Sequence, residues 1–175
     1  MYVGDVGQGA IEEVNRIHSS LPGGNYGWNY KEGSYFFYSG ATGTFVSEEP
    51  PDEVLPPLID PVAEYDHDEG ISVIGGHVYK GNEILGAQNR YVFAEYARPN
   101  GRLLYLDTND RIREFIYESA TNMSITGFGV DQHKELYVVG NGSSSGVLKK
   151  LTLGVEQELC VPIKTINGSV AVICL

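Results

Sequence analysis

The sequence predicts an all-β fold, and three observations lead to it. Glycine and tyrosine are plentiful, at 22 and 12 of 175 residues. Alanine- and leucine-rich stretches at helical spacing are missing, and short runs of β-forming residues recur between strong turn signals. With 42% hydrophobic and 20% charged residues, the composition is that of a globular chain with a real core, not of a disordered one.

In chain order the β-like runs are Glu13 to His18, Val62 to His67, Ser72 to Tyr79, Arg90 to Tyr96, Arg102 to Asp107, Arg111 to Tyr117, Glu135 to Val139 and Val147 to Leu153. Pro22-Gly23-Gly24, Pro99-Asn100-Gly101, Asn109-Asp110 and Asn141-Gly142 punctuate them. Ser34 to Pro61 reads as a surface excursion, because Pro50-Pro51 and Pro56-Pro57 remove ladder donors. This spacing fits a sandwich, a barrel or a propeller. A propeller blade takes roughly 40 to 50 residues, so residues 1–154 hold about three blades, and three blades leave two flanks open. The chain is therefore expected to be a piece of a longer protein or to need a partner.

Residues 155–175 read as a separate C-terminal β-hairpin. Val161 to Ile166 and Ser169 to Ile173 flank Asn167-Gly168, a pair suited to a type I′ turn because both central residues require positive φ. Cys160 and Cys174, the two cysteines of the chain, bracket this hairpin. A two-residue turn places Cys160 one position from directly opposite Cys174, so a disulfide between them and a pair of reduced apolar thiols both remain open.

The formal net charge of −11 argues against a nucleic-acid partner, whose binding rests on lysine and arginine at phosphates; it makes cations the expected ligands, while most of the individual carboxylates read as a soluble surface. No apolar run approaches the roughly 18 to 20 residues that span a bilayer. Three sequons, at Asn122, Asn141 and Asn167, stand in or beside turn-like stretches and suggest a secreted, extracellular glycoprotein, although Asn141-Gly142 and Asn167-Gly168 are also turn pairs that need no glycan. Met1-Tyr2-Val3-Gly4-Asp5 lacks the layout of a signal peptide, which again points to an N-terminus upstream.

Glycines at 4, 7 and 9 allow a tight loop whose carbonyls can converge, and Glu12 and Glu13 add the hard oxygens that calcium takes in sixes to eights. The competing reading has both glutamates exposed on opposite faces of a strand. Tyr26 and Trp28 could stack a sugar, but core packing is the preferred reading. His18, His67, His77 and His133 share no zinc-like spacing, and Tyr65-Asp66-His67-Asp68-Glu69 reads as an acidic turn or a cation site.

Taken in order, Gly4-Asp5-Val6-Gly7-Gln8, Glu12-Glu13-Val14-Asn15, Gly24-Asn25-Tyr26-Gly27-Trp28 and Glu32-Gly33 resemble the glucose/sorbosone dehydrogenase family. The likeness continues through Ser72 to Gly81, Tyr91 to Tyr96, Ile125 to Asp131 and Glu135 to Val138, and stops before the cysteine tail. It implies a partial six-bladed β-propeller with the N-terminal blades missing. It also implies two calcium sites, one on carbonyls of Gly7 and Gln8, the other on Glu12, Glu13 and the Tyr26 carbonyl.

In the PQQ-dependent members of that family, the catalytic histidine and a quinone-holding Arg-Asn pair precede the region matching this chain. Two further arginines, spaced R-x-R, fall where this chain has Met123-Ser124-Ile125. Losing charge-assisted bonds worth about 1.5–3 kcal/mol each removes the expectation that PQQ binds. The stretch resembles instead the hedgehog-interacting-protein-like branch. The resemblance thus implies a secreted, non-catalytic protein that binds calcium and an extracellular protein, matrix or mineral. The other readings are a fragment of a PQQ-dependent aldose dehydrogenase and an acidic, calcium-associated biomineral matrix protein.

Overall fold

A computed structural model describes residues 1–20, 23–41, 43–84, 86–97, 99–115 and 121–152, and the backbone of 161–164 and 170–173. Among these residues the regular structure is β throughout, with no helix, and the sheets are antiparallel and open. The chain divides into two compact units, Met1–Val73 and Ile74–Leu175.

In the first unit, β1 (Tyr2–Asp5) and β6 (Ala63–Asp66) flank β2 (Ile11–Arg16) in one three-stranded sheet. Glu13 lies opposite Asp5 on one side and Glu64 on the other. Between β2 and β6 the chain forms a second sheet, β3 (Lys31–Glu32), β4 (Tyr35–Gly40) and β5 (Gly43–Ser47). Part of the expected surface excursion from Ser34 to Pro61 is thus a hairpin. Tyr35-Phe36-Phe37-Tyr38 supplies aromatic β-formers whose cross-strand packing outweighs the neighbouring Ser and Gly, and Tyr38 stacks on Phe45 at 5.1 Å. The proline-rich remainder, 48–61, carries no strand, as expected.

In the second unit β7 (Val73–Val78), which begins at the unit boundary, β8 (Tyr91–Glu95), β9 (Arg102–Leu106) and β10 (Ile112–Glu114) form a four-stranded meander. β11 (Ser124–Val130), β12 (Leu136–Asn141) and β13 (Gly146–Lys150) form a three-stranded one. All five residues of β8 are buried, so this strand is covered on both faces. The core gathers Tyr79, Val92, Leu103, Met123, Ile125 and Leu136, each at most 1% exposed. Gly140 lets β12 approach β11, since a Cβ there would stand 2.0 Å from the Ser124 carbonyl oxygen.

The tail hairpin pairs β14 (Val161–Lys164) with β15 (Val170–Ile173), from Val161↔Ile173 to Lys164↔Val170. Five residues, 165–169, separate the last pair, so the register is shifted by one from that of a two-residue turn at Asn167-Gly168. Cys160, Cys174 and Asn167 lie outside the described residues.

Candidate functional site

β2 positions the site because both of its faces are buried. Ile11, Glu13 and Asn15 point one way and Glu12 and Val14 the other, as the period of two requires, and all five are buried. The two glutamates therefore diverge as one reading of the pair expects, but neither is exposed.

Glu12, with no exposed surface, ties three segments together. Its Oε1 accepts from the Gly7 N–H at 3.2 Å and lies 2.8 Å from His67 Nε2. Its Oε2 accepts from the Val73 N–H at 2.7 Å. His67 thus has a structural partner, and the residues around it form a turn in which the Glu69 and Gly70 N–H groups reach the Asp66 carbonyl. His18, His77 and His133 are exposed.

Glu13 accepts from Asn15 Nδ2 and from the Gly33 N–H, both at 2.7 Å. Burial pushes its carboxyl above the usual range; Asn15 and Gly33 pull it down, and the carboxylates of Asp5 and Glu64 add to the rise.

Glu32, in the sequence only a member of the Glu32-Gly33 motif, organises the loop. It is 3% exposed, and its Oε1 collects the N–H groups of Gly9, Ala10 and Ile11 at 2.9, 2.6 and 2.9 Å. The glycine-rich loop therefore turns its amides inward onto a carboxylate. Gly7 completes the fit, since a Cβ there would stand 2.0 Å from the Ile11 carbonyl oxygen and 2.5 Å from Glu32 Oε1. Glu32 Oε2 is buried and has no hydrogen-bond partner, and the same holds for Asn15 Oδ1.

Beside this loop lies a pocket of about 280 Å³ lined by Asp5, Gly7, Gln8, Glu13, Trp28, Lys31 and Glu32, with Val6 and Ile11. Three carboxylates thus face one small space. Lys31 is already engaged, with its Nζ 2.5 Å from Asp60 and 5.1 Å from the centre of the Phe36 ring. Trp28 sits against Phe37 with ring centres 5.1 Å apart, yet 57% of it is exposed, so the preferred core reading does not hold for it. The structure brings together Gly7, Gln8 and Glu13 of the expected metal set, and turns Glu12 to the other face of β2. Tyr26, half-buried, packs by Gly24, where a Cβ would be 3.3 Å from its ring. Among the described residues no group of three His, Cys, Asp or Glu is arranged to hold a metal ion.

No family model matches the chain, and no solved structure matches it.

In the second unit the sequons at Asn122 and Asn141 fall close together. Ser124, two residues after Asn122, is the register partner of Asn141, and both asparagines are exposed and line a cavity of about 510 Å³ with Pro99, Gly142 and Ser143. Met123 and Ile125, which stand where the resemblance would place arginines, are core residues at 1% and 0% exposed. Among the described residues no helix is long and apolar enough to cross a membrane.

Asp5, Glu32 and Lys31 went unnominated in the sequence. The signal for Glu32 was its place directly before Gly33, whose φ of 64° ends β3 in a turn that hands its N–H to Glu13.

Proposed function

We propose that this chain is part of a secreted propeller protein of the glucose/sorbosone dehydrogenase type, on the hedgehog-interacting-like side, that binds a cationic ligand without turning it over. The reading rests on one observation above the rest. The ordered motifs of the first unit fold into a single cradle, in which Glu12 and Glu32 hold the glycine loop while Asp5, Glu13 and Glu32 line its pocket.

Calcium is the cation that the resemblance implies. Glu12 and Glu13 cannot chelate it as a pair, because they occupy opposite faces of β2 and Glu12 is taken up by Gly7, His67 and Val73. The oxygens left to a cation are those of Asp5 and Gln8 and the Oε2 of Glu32, while Glu13 joins them by sharing the oxygens that now accept from Asn15 and Gly33.

The buried places of Met123 and Ile125 support the non-catalytic side of the reading. A guanidinium at either position would have to be buried in an apolar core, which is costly without a partner. The exposure of Asn122 and Asn141 is compatible with glycans on a secreted chain.

Calorimetric titration with calcium chloride, beside dye reduction with PQQ, calcium and glucose, tests the reading. Saturable heat that Glu13→Gln abolishes, with no dye reduced, is the expected result. Turnover of glucose would overturn it.

A further inference from the structure

We infer that the pocket of the first unit takes a primary ammonium group on a short apolar stem, the charge held by Asp5, Glu13 and Glu32 and the stem lying against Trp28. This rests on the reading of that pocket as a cation site and names the class of cation.

Four features of the pocket select that class. Glu32 Oε2 is buried, has no partner and belongs to a pocket-lining side chain, so a donor that reaches it gains a hydrogen bond. An ammonium has three donors and no acceptor, and three carboxylates line the space. Lys31 does not fill the role, because its own ammonium is held by Asp60 and the Phe36 ring. Trp28 stands at the pocket 57% exposed, and an indole attracts an organic cation within about 6 Å of its ring while covering the attached methylenes.

A bare divalent ion uses these features less well. It seeks six to eight oxygens, gains nothing from an indole, and finds no three-residue ligand set among the described residues. Size points the same way. About 280 Å³ lies just below the roughly 300–1,000 Å³ of sites for larger molecules, so the ligand is a small group or the tip of a side chain. Burial and the neighbouring carboxylates of Asp5 and Glu64 crowd Glu13, a strain that an incoming positive charge relieves.

The chain carries a single tryptophan, so its fluorescence reports on this pocket alone. Titrating the full chain with n-butylammonium chloride should give a saturable change, with n-butanol and sodium chloride at matched concentration giving none. Glu32→Gln keeps an oxygen for the Gly9, Ala10 and Ile11 amides and replaces the unpaired acceptor with a donor. It should weaken binding about tenfold or more, the scale of one charge-assisted hydrogen bond. Asp5→Asn, at an exposed position, should weaken it by a smaller factor in a chain whose fold is intact.

No saturable change with butylammonium, or equal affinity for butanol, overturns the inference. If calcium alone saturates the signal, the cation pocket stands and the ammonium assignment fails; if neither cation binds, both fail. Tighter binding of Nα-acetyl-lysine N-methylamide than of butylammonium identifies a lysine of a partner protein as the source, and equal binding identifies a free amine.

Discussion

In each unit of this chain a buried glutamate gathers backbone amides of a glycine-containing loop, and Glu135 and Glu32 differ in how completely the carboxylate is used. In the second unit Glu135, 3% exposed, accepts from the Asn82 and Glu83 N–H groups at 2.8 and 3.2 Å through Oε1, and from the Tyr79 hydroxyl at 2.6 Å through Oε2. Gly81 presses against it, leaving no room for a Cβ, which would lie 2.5 Å from the carboxylate. In the first unit Glu32 gathers three amides on Oε1 and leaves Oε2 without a partner beside a pocket. The same device is closed in one place and open in the other. A saturated carboxylate is a structural clamp, whereas an unsaturated one retains the capacity to bind.

The most damaging way to break the clamp is Glu135→Ala, which strands the Tyr79 hydroxyl and two amides and should lower stability by about 3 kcal/mol in urea unfolding. Next come the two glycines. Gly7→Ala drives a Cβ into the Ile11 carbonyl and should cost about 2–3 kcal/mol, whereas Gly81→Ala meets only side-chain atoms of Glu135 and should cost about 1–2 kcal/mol. If Gly81→Ala proved the worse, side-chain carboxylates would be the more rigid walls. Tyr79→Phe turns Glu135 into a counterpart of Glu32 by removing the donor to Oε2, and it also leaves the buried Ile84 N–H, which now donates to the Tyr79 hydroxyl, without that acceptor. The expected loss is about 1–2 kcal/mol. The Tyr79 hydroxyl itself, with its pKa pushed up to about 12 by burial and by Glu135, should give no phenolate signal in a spectrophotometric titration at pH 10.

The smallest effect is one of pH. Glu13 has its folded pKa raised above the ordinary value of 4.5, chiefly by burial, so the folded state holds its proton more tightly than the unfolded chain does. That contribution to stability is fully present below pH 4.5 and is lost as pH rises through the folded pKa. Glu13→Gln, which does not titrate, should therefore gain stability relative to the unsubstituted chain as pH rises from about 4 to about 7, by less than any of the losses above. Urea unfolding of both chains across that interval reads the difference, and a difference that stays constant would show that burial does not raise the Glu13 pKa.

Most strands of the second unit were legible in the sequence, because runs such as Tyr91 to Glu95 and Arg102 to Leu106 combine β-branched, aromatic and leucine residues between proline, glycine and asparagine turns. β4 and β5 were not, since Ser34, Gly40 and the prolines beyond masked the aromatic run at their centre. Local composition also gave no sign that Glu12 and Glu13 are buried. A charged pair reads as exposed or metal-bound, and only the tertiary donors at Gly7, Gly33, His67 and Val73 make its burial intelligible. The loop of the candidate site is legible from its glycines, but Glu32, which organises it, lies more than 20 residues downstream in a Glu32-Gly33 pair that by itself gives no sign of a bond to that loop. Trp28 was misjudged for a related reason: aromatic residues are usually core, and its neighbour Phe37 covers only part of it.

The hydrogen bond from the Val73 amide to Glu12 closes a span of 61 residues. β1 and β2 are close in sequence and can pair early, but the Glu12 carboxylate lacks its last donor until the chain has been made as far as residue 73. The face of β2 that carries Glu12 is therefore completed late, after the pocket residues Asp5 to Glu32 have all been made. At a synthesis rate of about 5–20 residues per second, the Glu12 carboxylate waits several seconds for the Val73 amide to be made.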